Sequence, residues 1–101
     1  MITLRLEVFS PLTEELFPNH RGTLAACVDI HENATLLELL MQLDNSKYRS
    51  LTEMAFDAEN EVLTHEALLA VNNMAVGVTP LSSVVLKNSD RICFMACLSE
   101  G

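Results

Sequence analysis

Glycine, proline and aromatic residues are scarce in this chain. Its 101 residues include three glycines, three prolines, four phenylalanines, one tyrosine and no tryptophan. So few glycines leave almost no room for a phosphate-cradling loop, and neither a P-loop nor a dinucleotide-binding glycine motif occurs. Half of the residues are nevertheless hydrophobic. The composition therefore predicts one domain with an aliphatic core that folds without metal or disulfide.

Positive charge is scarce as well. Six lysines and arginines stand against fourteen aspartates and glutamates, which gives a formal net charge of −8. Such a polyanion repels phosphate groups, so neither a nucleic acid nor a membrane is predicted as a partner. The charge instead favours a partner with a basic surface.

The three cysteines form no C-x-x-C pair, and their odd number indicates a reduced, intracellular setting. On one strand Cys93 and Cys97 would be about 13 Å apart, too far to bind one metal, although a thiol cluster with Cys27 stays open. None of the histidines has the i, i+4 spacing of a metal pair, and all three are expected in loops: His20, His31 and His65. We predict no metal site, no cofactor and no active site of the chain's own.

Long apolar segments are also missing. In the opening stretch, Arg5 and Glu7 interrupt the apolar run that a signal peptide needs, and no later run approaches the length of a membrane span. We therefore expect a cytoplasmic protein.

What the chain does contain is regular alternation of apolar and polar residues. Residues 2–8 and 23–30 alternate with a period of two, which predicts two half-buried strands. Between them, Ser10 is expected to cap a short helical turn that has Pro11 at its first position. In the second strand, Ala26, Val28 and Ile30 are predicted to point inward and Ala25, Cys27 and Asp29 outward.

The strongest helix signal begins at Thr35. Thr35 and Glu38 form a capping-box pattern at the head of "LLELLMQL". The helix presents a broad apolar stripe, which consists of Leu36, Leu37, Leu39, Leu40, Met41 and Leu43.

The second half of the chain is less regular. Residues 47–66 allow a helical turn in "LTEMAF" and a turn in "DAEN", while "ALLAV" predicts a buried strand. Asn72 and Asn73 fit a hairpin turn with positive φ, followed by a brief strand in "MAVGV". "RICFMACL" predicts the last strand, with Ile92, Phe94, Ala96 and Leu98 on one face and Arg91, Cys93, Met95 and Cys97 on the other.

These elements predict an α+β fold in which one amphipathic helix covers one face of a small mixed sheet. The order of two strands, a helix and further strands is that of the ubiquitin-like β-grasp. A split βαβ domain begins in a similar way, so the order alone leaves both folds open.

Three stretches resemble the small MoaD and ThiS sulfur-carrier proteins. They are "VDIHENATLLELLMQL", "FDAENEVLTHEALLAVNN" and "VVLKNSDRICF". Asn72-Asn73 stands at an Asn-Gly position of that family, Ser89 at a glycine, and Asp90 at the second aspartate of a turn. The likeness covers most of the chain and implies a β-grasp domain over residues 1–98 with a flexible tail over residues 99–101.

The resemblance also implies a function. In that family a MoeB/ThiF-type enzyme uses ATP to adenylate the carboxylate of a terminal glycine, and a sulfur donor then converts it to a thiocarboxylate. A synthase subunit accepts the sulfur for molybdopterin or thiamine biosynthesis. Gly101 would supply the carboxylate, and the chain would be a carrier, or a small subunit of a synthase complex, rather than an enzyme.

Glu100 departs from the family pattern, which has a glycine before the terminal one. Its bulk and charge would hinder entry of the tail into a nucleotide site. A second function therefore stays open: a non-catalytic ubiquitin-like interaction module that has lost the tail chemistry.

The outward faces of the strands predict a docking surface. Ala25, Cys27, Cys93 and Met95 are apolar where a free sheet face is normally polar. Residues predicted to bind a partner are Cys93, Met95, Cys97, Leu98, Ser99 and Glu100. A homodimer contact, or cover by residues 47–66, would also bury such a face.

Overall fold

The computed structural model describes residues 1–64, 66–77 and 79–96. Three helices are α1 (Leu12–Leu16), α2 (Leu36–Asp44) and α3 (Arg49–Ala55), and a 3-10 turn covers Leu81–Ser83. The strands are β1 (Ile2–Val8), β2 (Leu24–Ile30), β3 (Phe56–Asp57), β4 (Val62–Leu63), β5 (Ala67–Val71), β6 (Met74–Ala75) and β7 (Arg91–Ala96).

Five of the strands form one mixed sheet in the order β2-β1-β7-β5-β6. β1 pairs antiparallel with β2 and parallel with β7, and β7 pairs antiparallel with β5. The first and last strands of the described chain thus lie side by side at the centre of the sheet. β3 and β4 form a separate two-stranded ribbon.

Helix α2 covers one face of this sheet, as its sequence predicts. The capping box is present: the Thr35 hydroxyl accepts a hydrogen bond from the Glu38 amide, and the Glu38 carboxylate accepts one from the Thr35 amide. Leu36, Leu40 and Leu43 are fully buried in the core. The predicted stripe is wrong at Met41, which is 49% exposed, because residue 41 is turned away from the sheet.

Two further expectations need correction. Helix α1 begins one residue later than predicted, with Pro11 at the cap position, and the Ser10 hydroxyl donates to the Glu14 carboxylate at 2.8 Å instead of capping the backbone. The strand expected in "MAVGV" is confined to Met74–Ala75.

Residues 47–64 pack on the helical side of the sheet. They form α3 and the β3–β4 ribbon, and Leu51, Ala55 and Phe56 join the core cluster that contains α2. They therefore do not cover the opposite face, as one of the sequence alternatives proposed.

The two turns beside β7 explain why the sequence carries asparagine and aspartate there. Asn72 and Asn73 have φ of 51° and 71°, which confirms the predicted hairpin turn. The Asn72 side chain accepts a hydrogen bond from the Arg91 amide and donates one to Asp90. Ser89 also has a left-handed φ of 71°, the conformation that favours the glycine of the resembling family.

Candidate functional site

The face of the sheet opposite α2 is the candidate functional surface, and we call it the open face. Successive residues of a strand point to opposite faces, so the neighbours of core residues lie here. The open face is formed by Thr3, Arg5, Glu7, Ala25, Cys27, Asp29, Leu68, Ala70, Arg91, Cys93 and Met95. Cys93 and Ala70 are buried yet stand outside the main core cluster, as expected for this side of the sheet.

A buried carboxylate organises the centre of the open face. Glu7 has a side chain only 9% exposed, and its Oε2 accepts a hydrogen bond from Arg5 Nε at 2.9 Å. Its Oε1 accepts from Arg91 Nη2 at 2.7 Å and from the Cys93 thiol at 3.4 Å. The register of β1 and β7 places Arg5 opposite Arg91, so Glu7 offsets the repulsion between two like charges.

The electrostatics of this cluster favour a structural role over acid–base chemistry. Hydrogen bonds from Arg5 and then Arg91 lower the pKa of Glu7 to about 2, so the carboxylate stays ionised at neutral pH. Burial, followed by the neighbouring Glu7 carboxylate, raises the pKa of the Cys93 thiol. The thiol is therefore protonated and poorly nucleophilic.

The open face becomes apolar toward the end of β7. Met95 is half-buried and pairs with Leu68 on β5, which is 41% exposed. Ala70 pairs with Cys93, and Ala67 pairs with Ala96, the last described residue. The last described residue of the chain thus lies at the apolar end of the open face.

A groove lies beside the same end of β5. It has a volume of about 680 Å³, and apolar side chains from four segments line it: Leu37, Leu63, Leu68, Pro80 and Leu81. Ala67, the pairing partner of Ala96, also lines the groove. The groove and the apolar end of the open face are therefore continuous around β5.

The structure locates some of the site residues predicted from sequence and corrects the character of the face. Met95 lies on the open face as predicted, whereas Cys93 is 3% exposed and offers little surface to a partner. The centre of the face is ionic rather than apolar. The predicted site residues Cys97, Leu98, Ser99, Glu100 and Gly101 lie outside the described residues.

Sequence reasoning missed the Glu7 cluster. Alternation assigned Arg5 and Glu7 to one outward face and Arg91 to another, but only the parallel pairing of β1 with β7 brings them together. The available signal was the presence of charges of both signs, Arg5 and Glu7, in a strand whose other residues are mostly apolar.

A thiol cluster does not form between the described cysteines. Cys27 on β2 and Cys93 on β7 are separated by β1, which lies between these strands. Within the described ranges no group of three potential metal ligands from His, Cys, Asp and Glu occurs. The helices of those ranges are also all too short or too polar to cross a membrane.

Comparison of the amino-acid sequence with known families and curated proteins finds no match. No protein-family model matches the chain, and no curated protein matches it at a significant level.

Comparison by structure finds small proteins of similar size. The crystal structure of SAMP1 from Haloferax volcanii has a TM-score of 0.70 at 19% identity, with 98% of this chain and 99% of that one covered. A putative molybdopterin converting factor subunit 1 from Pyrococcus furiosus has a TM-score of 0.63 at 13% identity over 97% and 100% of the chains. A chain of the Amycolatopsis orientalis BexX/CysO complex gives 0.61 at 14% identity over 95% and 99%.

These neighbours are small carrier or modifier proteins rather than enzymes, and at such identities the likeness establishes the fold. The resemblance to the MoaD and ThiS family drawn from the sequence is confirmed at that level. The chain has the ubiquitin-like β-grasp fold of the small carrier and modifier proteins that it resembles.

Proposed function

We propose that the chain is a MoaD/ThiS-like sulfur carrier that acts through the carboxylate of Gly101. One observation supports this more than any other. The central strand β7 is described to Ala96 at the apolar end of the open face, and five further residues follow it, of which Gly101 is the fifth. Fully extended, five residues reach about 17 Å, far enough to enter the nucleotide site of a docked enzyme.

The chemistry requires a partner of the MoeB/ThiF type that supplies ATP. The Gly101 carboxylate attacks the α-phosphate of ATP, pyrophosphate leaves, and an acyl adenylate forms. A sulfide-level donor then displaces AMP and leaves a thiocarboxylate. A synthase subunit accepts that sulfur for molybdopterin or thiamine biosynthesis, and the carrier itself contributes no catalytic residue.

The open face supplies the docking surface in this proposal. Met95 and Leu68 offer apolar contact at the end of β7, and the half-exposed Arg5 and Arg91 offer charged contact further away. Two of the neighbours are a putative converting-factor subunit and a chain of a two-protein complex, which supports action within an assembly.

A second function has its own supporting observation. Glu100 stands where the sulfur carriers have glycine, and its carboxylate would lie close to the ATP phosphates. A non-catalytic ubiquitin-like interaction module would keep the fold and the docking surface without needing the tail chemistry.

Tail activation distinguishes the two functions. Incubation with an adenylating enzyme of the MoeB/ThiF type, ATP and a sulfur source should exchange one terminal oxygen for sulfur, measured by intact-protein mass spectrometry. We expect Glu100→Gly to react faster than wild type, because bulk and negative charge are removed beside the phosphates. Deletion of Gly101 should abolish the exchange, and Glu59→Gly serves as a matched control away from the tail. If neither wild type nor Glu100→Gly is adenylated, the interaction module is the correct function.

A further inference from the structure

Strand β2 forms an edge of the sheet that lacks the usual protection against pairing with another strand. It is seven residues long and contains no lysine, arginine or proline, and its one charged residue, Asp29, lies near its end and accepts a hydrogen bond from the Thr3 hydroxyl. Edge strands are normally blunted by such residues, by bulges or by being short. The opposite edge, β6, meets the last condition because it has two residues.

The backbone direction of β2 follows from its neighbours. Thr3 and Arg5 of β1 use their backbone groups toward the β7 side, since Thr3 O accepts from the Ser89 amide and Arg5 N donates to Asp90 O. The even-numbered residues of β1 therefore pair with β2. In the observed register they face the even-numbered residues of β2, so Ala25, Cys27 and Asp29 direct their N–H and C=O groups to the free edge.

Side chains close this edge at both ends and leave its middle open. His20 Nε2 donates to Thr23 O at 3.2 Å, and Gln42 Nε2 donates to Asp29 O at 2.8 Å. Among the described residues, none forms a hydrogen bond with the backbone groups of Ala25 or Cys27. The N–H and C=O groups of Ala25 and Cys27, two donors and two acceptors, are therefore available along this edge.

We propose that this edge binds the same edge of a second copy, antiparallel about a two-fold axis at Ala26. Ala25 then lies opposite Cys27 of the partner subunit, and Cys27 opposite the partner subunit's Ala25. Each of these two pairs exchanges two backbone hydrogen bonds, so four bonds form. They use the free groups of both edges and leave the His20 and Gln42 bonds in place.

Other registers and occupants fit less well. A two-fold axis at Cys27 would require the Asp29 carbonyl, which Gln42 already occupies. An axis at Ala26 also keeps the two Asp29 carboxylates apart, an advantage for a chain of charge −8. A peptide of another protein would form the same four bonds, but only a second copy satisfies the free groups of two such edges at once.

The side chains of the edge support the same occupant. Leu24, Ala26 and Val28 point to the core face but remain half-buried, whereas Leu4, Leu6 and Val8 of the adjacent strand are buried. A second copy would continue the sheet and cover these apolar side chains. β1 separates this edge from β7, so association leaves the end of β7 and the apolar end of the open face uncovered.

Association is tested first with substitutions that act on the edge alone. Sedimentation equilibrium of the full chain should show a concentration-dependent dimer. Cys27→Pro removes an N–H that faces the free edge and spares the β1–β2 ladder; it should weaken the dimer about tenfold or more, since two of the four bonds are lost. Ala25→Lys should do the same, and Met74→Lys makes the same change of charge on β6 as a control.

Cross-linking then tests the register. In a Cys97→Ser background, Ala25→Cys would place a thiol about 5.5 Å, Cα to Cα, from Cys27 of the partner subunit, within the range of a disulfide. Mild oxidation should give a covalent dimer faster for this variant than for the background protein. Faster cross-linking of the background through Cys27 alone would overturn the register. A monomer at every concentration, or a dimer that Cys27→Pro and Ala25→Lys leave unchanged while both stay folded, would overturn the proposal.

Discussion

Glu7 shows how a single residue decides the character of the open face. Without its carboxylate, Arg5 and Arg91 would lie opposite each other on adjacent strands with no compensating charge. Their side chains are 54% and 40% exposed, so water can solvate them, whereas the Glu7 side chain is 9% exposed. The carboxylate thus depends on both arginines, since a buried charge without partners is strongly destabilising.

The acid stability of the protein should depend on Glu7. Its pKa is about 2 in the folded protein against an ordinary value of 4.5, so ionisation stabilises the fold. This contribution is complete above pH 4.5 and is lost as the pH falls toward about 2. Glu7→Gln should lower the free energy of unfolding by about 1–3 kcal/mol at neutral pH.

Urea unfolding measures this effect at neutral pH and at low pH. The difference between wild type and Glu7→Gln should shrink steadily through the acid range. The matched control is Glu53→Gln, which breaks an exposed i, i+4 pair with Arg49 and should change stability by less than about 0.5 kcal/mol. A difference that stays constant with pH would contradict the assigned role of Glu7.

At the scale of elements, those with strong local signals could be predicted and the others could not. Alternation identified β1 and β2, and the capping box at Thr35 identified α2. Residues 47–66 gave no clear period because α3 and the β3–β4 ribbon are short and are held by tertiary contacts. The sequence places Met41 in the apolar stripe, because hydrophobicity alone does not show where such a stripe ends.

Helix α2 offers a direct comparison of adjacent positions. Leu40 is fully buried and Met41 is 49% exposed. Leu40→Ala should destabilise the fold by about 2–5 kcal/mol, because a cavity forms in the core. Met41→Ala should cost less than about 0.5 kcal/mol. Chemical denaturation measures both, and a loss below about half a kcal/mol for Leu40→Ala would mean that the helix does not pack on the sheet.

For the whole molecule, the decisive contact joins the two ends of the described chain. β1 pairs in parallel with β7, a long-range contact that no local sequence pattern predicts. It creates the Glu7 cluster and places the end of β7 at the centre of the sheet. The resemblance to the sulfur carriers implies the β-grasp fold, which the order of the elements alone leaves open beside a split βαβ domain. Neither the resemblance nor the periodicity predicts the residues that meet at the centre of the open face.

Docking of a partner at the apolar end of the open face involves the whole molecule, because two strands of the sheet form that surface. Met95 is half-buried and contacts a partner in the proposed function, so Met95→Asp would place an unpaired charge in an apolar contact. We expect a folded protein by circular dichroism and at least tenfold weaker binding to the adenylating enzyme, measured by calorimetry. Met74→Asp repeats the substitution at a residue that is 75% exposed and points to the other face of the sheet, and it should bind normally. Equal affinity for both variants would place docking elsewhere, and unfolding of Met95→Asp alone would make Met95 a core residue and remove it from the docking surface.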